Sequence, residues 1–430
     1  MRKNKELFFF FGINSVATFK SKLASDIYPL VTTTTQLLDV AQQPATALNI
    51  AFSQSGLTAL GVNDLTSSND PFTSGQAADA QNLGDPTPIN KNWVPGFADT
   101  KNLHGVILLA SDTVAKIDTE LAKLKSILGD SIAEVYRLQG EARPNEEEGH
   151  EHFGFLDGIS QPGIEGFTAT PVPGQDKIPA GIILVGGAND TGNHPDWAKD
   201  GSFLAFRQLK QLVPEFNKFL TDNPVMVSEV KTAEQGRQLM GARMIGRWKS
   251  GAPVDLTPLQ DDPALGADPF RNNNFTFFGP GDNSRCPFAA HIRKTYPRSD
   301  LSEVVNDRHR IIRAGIPYGP EVTVAEAASN TTTIERGLAF VSYQSNIADG
   351  FKFQQMSWAN NPKFLAHPNF PVPGFDPIIG ANGGKPRNVQ GLDLANQTRN
   401  ITLVTDFIES RGGEYFFSPS LSALRNALAG

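Results

Sequence analysis

The chain opens on an unbroken apolar run at residues 7–11, followed after Asn14 and Ser15 by residues at helical spacing. A short run of this kind, rich in Phe and bounded by polar residues, predicts a strand covered on both faces. The same alternation returns at residues 48–52, with helical spacing around Leu57 and Leu60. It returns again at residues 104–109, where Ser111, Asp112 and Thr113 supply N-cap chemistry for an amphipathic helix with Val114, Ile117, Leu121, Leu124 and Leu128 on one face. Residues 132–138 then read as a further strand. Short strands and helices joined by short connections predict an antiparallel sheet with helices on one face, the ferredoxin-like pattern.

The second part echoes the first. Residues 338–345 repeat the wording of 51–55, and residues 414–417, with Leu421 and Leu424 behind them, repeat 6–9 and the helix that follows. Two echoes predict an α+β chain of two ferredoxin-like halves, a duplicated antiparallel sheet with helices. The Pro-rich link at 171–173 divides it into residues 1–170 and 171–430. Residues 182–185 are expected to open the second half as a short strand, and the Gly-, Asp- and Asn-rich stretch 250–284 to be loop.

Composition narrows the function. Of 430 residues 39% are hydrophobic and 19% charged, which fits a globular chain, and a net charge of −7 without clustered Lys and Arg argues against nucleic acid as a partner. The lone Cys286 excludes an intrachain disulfide and any Cys-based zinc or iron–sulfur site. No apolar run approaches the roughly 18 residues that span a bilayer, so no membrane is expected. The basic start from Met1 superficially resembles a secretion signal, but Glu6 interrupts it, and the run behind it reads as a strand. Sequons stand at Asn189, Asn274, Asn330, Asn396 and Asn400.

Three segments carry chemistry. Around Cys286 to Arg298 the spacing predicts a helix capped by Ser284, with Phe288, His291, Ile292 and Thr295 on one face, so that His291 points with the apolar side. Such a histidine suits an iron ligand, although a buried histidine with one hydrogen-bond partner is commoner. In Gly154-Phe155-Leu156-Asp157-Gly158 a carboxylate sits between glycines, which admit close backbone approach to a bulky ligand; an Asp-Gly turn is the plainer reading. Arg313 stands in the strand-like run 310–319, where an inward guanidinium needs an anion, a structural ion pair being the alternative.

These three segments, in this order, resemble the dye-decolorizing peroxidases, in wording closest to fungal members, and the similarity runs from about Glu6 to the C-terminus. The resemblance implies a dimeric α+β barrel-like architecture, one haem b per chain, His291 as axial ligand to the iron, and Asp157 and Arg313 as the catalytic pair on the peroxide side. It implies Phe155, Leu156, Gly158, Phe353 and Met356 beside the haem together with Arg313, Asp376 as acceptor for the second ring nitrogen of His291, a turn aspartate being the plainer reading, and Tyr318 and Trp358 as surface residues through which electrons from bulky dyes would pass, plain packing being the alternative for both. Hydrogen peroxide and bulky aromatic or dye reductants are the implied partners, with the chain a monomer and secreted. A haem carrier or sensor of the same fold, needing only His291, is the alternative function. The tract 146–152, with His150 and His152, lacks zinc-protease spacing and is read as a solvated acidic loop, with His152 near the haem edge or its propionates.

Overall fold

A computed structural model describes residues 4–277, 279 and 281–430; the basic start at Met1, Arg2 and Lys3 lies outside the described residues. Eight strands close into a ring. The first half supplies β1 (Lys5–Ile13), β2 (Thr46–Phe52), β3 (Gly105–Ser111) and β4 (Ile132–Glu141); the second supplies β5 (Ser202–Gln211), β6 (Ile316–Tyr318), β7 (Gly337–Gln344) and β8 (Ile408–Ser418). Within the first half the order is β2-β3-β1-β4, and within the second β6-β7-β5-β8. Numbered inside each half, both read 2-3-1-4, so the predicted duplication is present as a repeated antiparallel ferredoxin-like sheet.

The halves meet at two narrow seams. Phe417 of β8 pairs with Phe52 of β2, and Gly140 of β4 pairs with Tyr318 of β6. A ring closed in this way leaves no long sheet edge.

Two apolar layers explain why β1 shows no alternation. Phe8 and Phe10 point into the ring, against Phe97, Leu204, Phe206 and Phe416. Leu7, Phe9 and Phe11 point outward, beneath Ile117, Leu121, Leu124 and Leu128 of the helix Val114–Leu128, whose cap is Thr113.

Three expectations need correction. The echoes pair strands that are not equivalent: β7 is the third strand of its half and β2 the second, while β8 is the fourth and β1 the first. What repeats there is the composition of a buried strand, not descent from one position. Residues 182–185 form no strand; a 3-10 turn, Ala180–Ile182, stands there, and the second half opens instead with β5. The long insertion is mostly irregular but carries one helical turn, Pro263–Ala267, capped by Asp262.

Candidate active site

The outer face of the first sheet is sealed by the helix Val114–Leu128, whereas the same face of the second sheet opens on a cavity of about 240 Å³. Arg207, Leu209 and Gln211 of β5, Leu338 and Phe340 of β7, and Ile408 and Ser410 of β8 form its floor.

His291 lines this cavity. The predicted helix is shorter than its pattern suggested: Pro287 to Ala290 form a turn, and the helix runs only over His291–Thr295, so His291 stands in its first turn. Its Nδ1 donates to Asp376 Oδ2 at 2.8 Å, which leaves Nε2 for a ligand. Asp376 is fully buried and its Oδ1 accepts the Ile378 and Ile379 N–H groups at 2.8 and 3.0 Å. Burial pushes the Asp376 carboxyl up, but His291 and these two N–H donors outweigh it and hold it below the ordinary carboxylate range.

Asp157 and Arg313 also line the cavity and meet directly, Arg313 Nη1 donating to Asp157 Oδ1 at 2.7 Å. Asp157 Oδ1 also accepts the Gly158 N–H at 2.6 Å. Gly158 has φ +79°, the left-handed backbone that glycine adopts without strain. Burial raises the Asp157 carboxyl, while Arg313 and the Gly158 N–H lower it further, so the net direction is down. The side chain stays open to the cavity, 39% exposed beside Arg313 at 31%.

The loop that presents Asp157 is shaped by a residue the sequence did not single out. Glu151 accepts the N–H groups of Phe153 and Phe155, both at 2.9 Å, and an amide proton from Gln211 at 2.5 Å. Asp157 N donates to Gly149 O at 3.0 Å. Gln161 clamps the other partner, its amide bonding both the carbonyl and the N–H of Arg313 at 2.6 and 3.1 Å. The signal for Glu151 lay in the acidic tract read as solvated.

Phe155, Leu156 and Gly158 line the cavity as expected, but Phe353 and Met356 do not. The segment bearing them is helical, Phe351–Phe353 continuing as a π-helix over Gln354–Ala359, and turns Phe351, Gln354 and Gln355 inward. Phe353 stacks on His309 with centroids 3.6 Å apart, and Met356 is exposed. Tyr318 and Trp358 are not surface residues. Tyr318 is buried with its hydroxyl on Glu335 at 3.1 Å, and Trp358 is buried against Phe364 and Phe353. His152 is buried away from the cavity and bonds the Tyr318 carbonyl at 2.9 Å. No cluster of metal-binding side chains occurs among the described residues.

Two further arginines in the wall were missed. Arg207 pairs with Asp85 at 2.6 Å but keeps Nε and Nη1 buried without partners, and Arg310 keeps Nη1 likewise. Buried guanidinium nitrogens without acceptors are costly, and their presence in a cavity wall points to an anionic group of a ligand.

Comparison with known proteins bears on this geometry. Residues 1–144 match the family described as "DyP dimeric alpha+beta barrel domain", and residues 168–363 match "Dyp-type peroxidase, C-terminal". The chain is 56% identical to a dye-decolorizing peroxidase of Mycena epipterygia over 99% of this chain and 84% of that one. It is 54% identical to dye-decolorizing peroxidase AauDyP1 of Auricularia auricula-judae, over 100% and 85%. The crystal structure of AauDyP complexed with imidazole superposes with a TM-score of 0.95 at 53% identity, covering 100% of this chain and 97% of the other.

Proposed function

Since the chain belongs to the DyP-type peroxidase family and is a haem-dependent peroxidase of the dye-decolorizing type, we propose that His291 holds the iron of one haem b per chain and that Asp157 and Arg313 act on hydrogen peroxide across the cavity from it. The observation that carries the assignment is a histidine hydrogen-bonded to Asp376 in one cavity with a carboxylate–guanidinium couple.

The residues fit the cofactor. Ile292, Ile378, Ile379, Leu338 and Phe340 give apolar walls for a porphyrin face, and the unpartnered nitrogens of Arg207 and Arg310 match its carboxylates. Bound haem supplies the iron that exchanges electrons with peroxide and with the reductant.

Asp157, ionised because Arg313 and the Gly158 N–H favour its charged form, takes a proton from one peroxide oxygen and returns it to the other, which leaves as water. Arg313 stabilises the negative charge that develops as the O–O bond breaks. Gln161 fixes Arg313, and Glu151 fixes the Asp157 loop, so neither reorganises during the step.

In this reading residues 1–170 contribute Asp157 and residues 171–430 contribute His291 and Arg313. The ring closes within one chain, which supports a monomer. All five sequon asparagines are exposed, which suits a secreted glycoprotein, and no described helix is long and apolar enough to cross a membrane. The reductants are bulky aromatic compounds or dyes together with smaller phenols.

The test is the absorption spectrum of the haem-loaded protein before and after stoichiometric peroxide. A histidine-ligated spectrum that changes promptly in the unaltered chain, and only slowly in Asp157→Asn or Arg313→Leu, is expected. No haem uptake removes His291 as ligand, and uptake without any peroxide response favours the carrier or sensor.

A further inference from the structure

The helix that carries His291 is a single five-residue turn, His291–Thr295. A helix that short has no stability of its own, so its orientation depends on what its other side chains grip. Thr295 bonds back to the His291 carbonyl at 2.9 Å, within the turn. Arg293 grips the chain on either side of the turn, donating to Asp300 and to the Cys286 carbonyl, both at 2.6 Å. Lys294 reaches elsewhere. It is fully buried, and its ammonium donates to two backbone carbonyls, Asn361 O at 2.8 Å and Trp358 O at 3.2 Å.

The same stretch, residues 358–362, fastens the turn that bears Asp376. The Asp376 N–H donates to Ala359 O and the Gly374 N–H to Pro362 O, both at 2.9 Å, and the Ala381 N–H donates to Asn360 Oδ1 at 2.8 Å. His291 and its acceptor are thus clipped to one splint, the acceptor by three backbone N–H groups and the histidine helix by the Lys294 ammonium. Arg387 holds the Asp376 carbonyl at 3.0 Å, but its other bonds go to Gly380, Thr405 and Asp406 and not to the helix. Burial pulls the Lys294 ammonium down to about 7 and the charge of Asp376 opposes the fall, so the two groups sense one another.

We propose that Lys294 is a positioning residue: through residues 358–362 it holds the His291 helix in register with Asp376 and keeps the bond from Nδ1 to Oδ2 short, an inference that rests on the reading of His291 as the iron ligand. That bond is 2.8 Å long and weakens steeply as it lengthens or tilts. Asp376 cannot follow a shift of the helix, because its own backbone and its Oδ1 are already committed. The short turn is the part that pivots once the grip of Lys294 is lost, and His291 then turns from its acceptor.

The experiment compares the haem-loaded full chain with Lys294→Met, which keeps the apolar stem and removes the donor. Resonance Raman of the ferrous state reads the iron–histidine stretching frequency, and spectroelectrochemical titration reads the ferric/ferrous potential. Two effects of opposite sign separate positioning from plain charge. Removing a buried positive charge by itself favours the ferric state and lowers the potential. A loosened bond to Asp376 makes His291 a weaker donor to iron, which lowers the stretching frequency and raises the potential. We expect a lower frequency and a raised potential, with haem affinity down by about tenfold or less. In an Asp376→Asn background, Lys294→Met should move the frequency no further, because the bond through which it acts is gone. Lys294→Gln, which keeps an amide donor, should fall between, and serves the comparison if Lys294→Met takes up no haem. An unchanged frequency, or a potential that only falls, in the variant overturns the positioning role and leaves His291 as the ligand. Absence of an iron–histidine band in the unaltered chain removes His291 as the ligand, and this inference with it.

Discussion

Asp376→Asn tests the iron-side assignment most sharply, because the two substituents differ by a proton donor and hardly in shape. Asp376 Oδ1 is committed to the Ile378 and Ile379 N–H groups, so in the variant the amide oxygen has to stay there. The NH2 group then faces His291 Nδ1, donor against donor, across a gap that is 2.8 Å in the native pair. His291 escapes only by moving its proton to Nε2, which removes the lone pair needed by the iron. A hydrogen bond to a charged group contributes about 1.5–3 kcal/mol, and partners of ligating histidines change metal affinity by roughly 10–100-fold. At about 1.4 kcal/mol per tenfold the two figures agree. Titrating haem into the apo-protein, followed by absorption, should therefore give an affinity loss in that range with little change in melting temperature. Unaltered affinity and an unaltered ferric spectrum would refute the role given to Asp376.

On the peroxide side, Asp157→Asn should slow the reaction with peroxide by about 10²–10⁴-fold and Arg313→Leu by about 10²–10³-fold, measured by stopped-flow absorption. Because Arg313 and the Gly158 N–H hold the Asp157 carboxyl below its usual range, against its burial, the base stays ionised as pH falls through that range. Dye oxidation should accordingly persist in acid and fail only below the ordinary carboxylate region near 3.9, and Arg313→Leu should shift that acid limb toward neutrality; a sharp optimum near pH 7 contradicts the assignment. Arg243, fully buried, donates to the carbonyls of Leu392, Arg285, Asn283 and Gly391, and ties the segment ahead of His291 to residues 391–392. Arg243→Met leaves those carbonyls unsatisfied and should cost roughly 3–5 kcal/mol, read by denaturant melts. Burial pushes the Cys286 thiol up to about 12, so it should resist thiol reagents at pH 8 until the protein unfolds.

Much of the fold was legible because local chemistry and tertiary structure agree. Thr113 caps the helix Val114–Leu128, and its apolar stripe covers β1 as the spacing required. His291, Asp157 and Arg313 line one cavity, the last two in direct contact, and Asp376 is hydrogen-bonded to His291 behind the wall. Phe353 and Met356 were misplaced for a different reason. They were placed by resemblance alone, and the turn Phe351–Phe353 that continues as a π-helix from Gln354 brings Phe351, Gln354 and Gln355 to the cavity instead. Tyr318 and Trp358 take the packing alternative, since aromatic residues in a strand or helix carry no mark of depth and both have apolar neighbours that only the fold supplies.

The position of the cavity itself left a trace that only the duplication makes readable. β1 and β5 are each the first strand of their half and occupy the same place in the order 2-3-1-4. The outward positions of β1 are Leu7, Phe9 and Phe11, and a helix seals them. The corresponding face of β5 carries Arg207, Leu209 and Gln211, and these face the cavity. A central strand covered on both faces tolerates an arginine and a glutamine only where something polar or a ligand meets them. Arg207 finds Asp85 for one nitrogen and nothing for two others. Polar residues on one face of the second copy, where the first is aliphatic and aromatic, are thus the sequence footprint of a sheet face kept open for a cofactor.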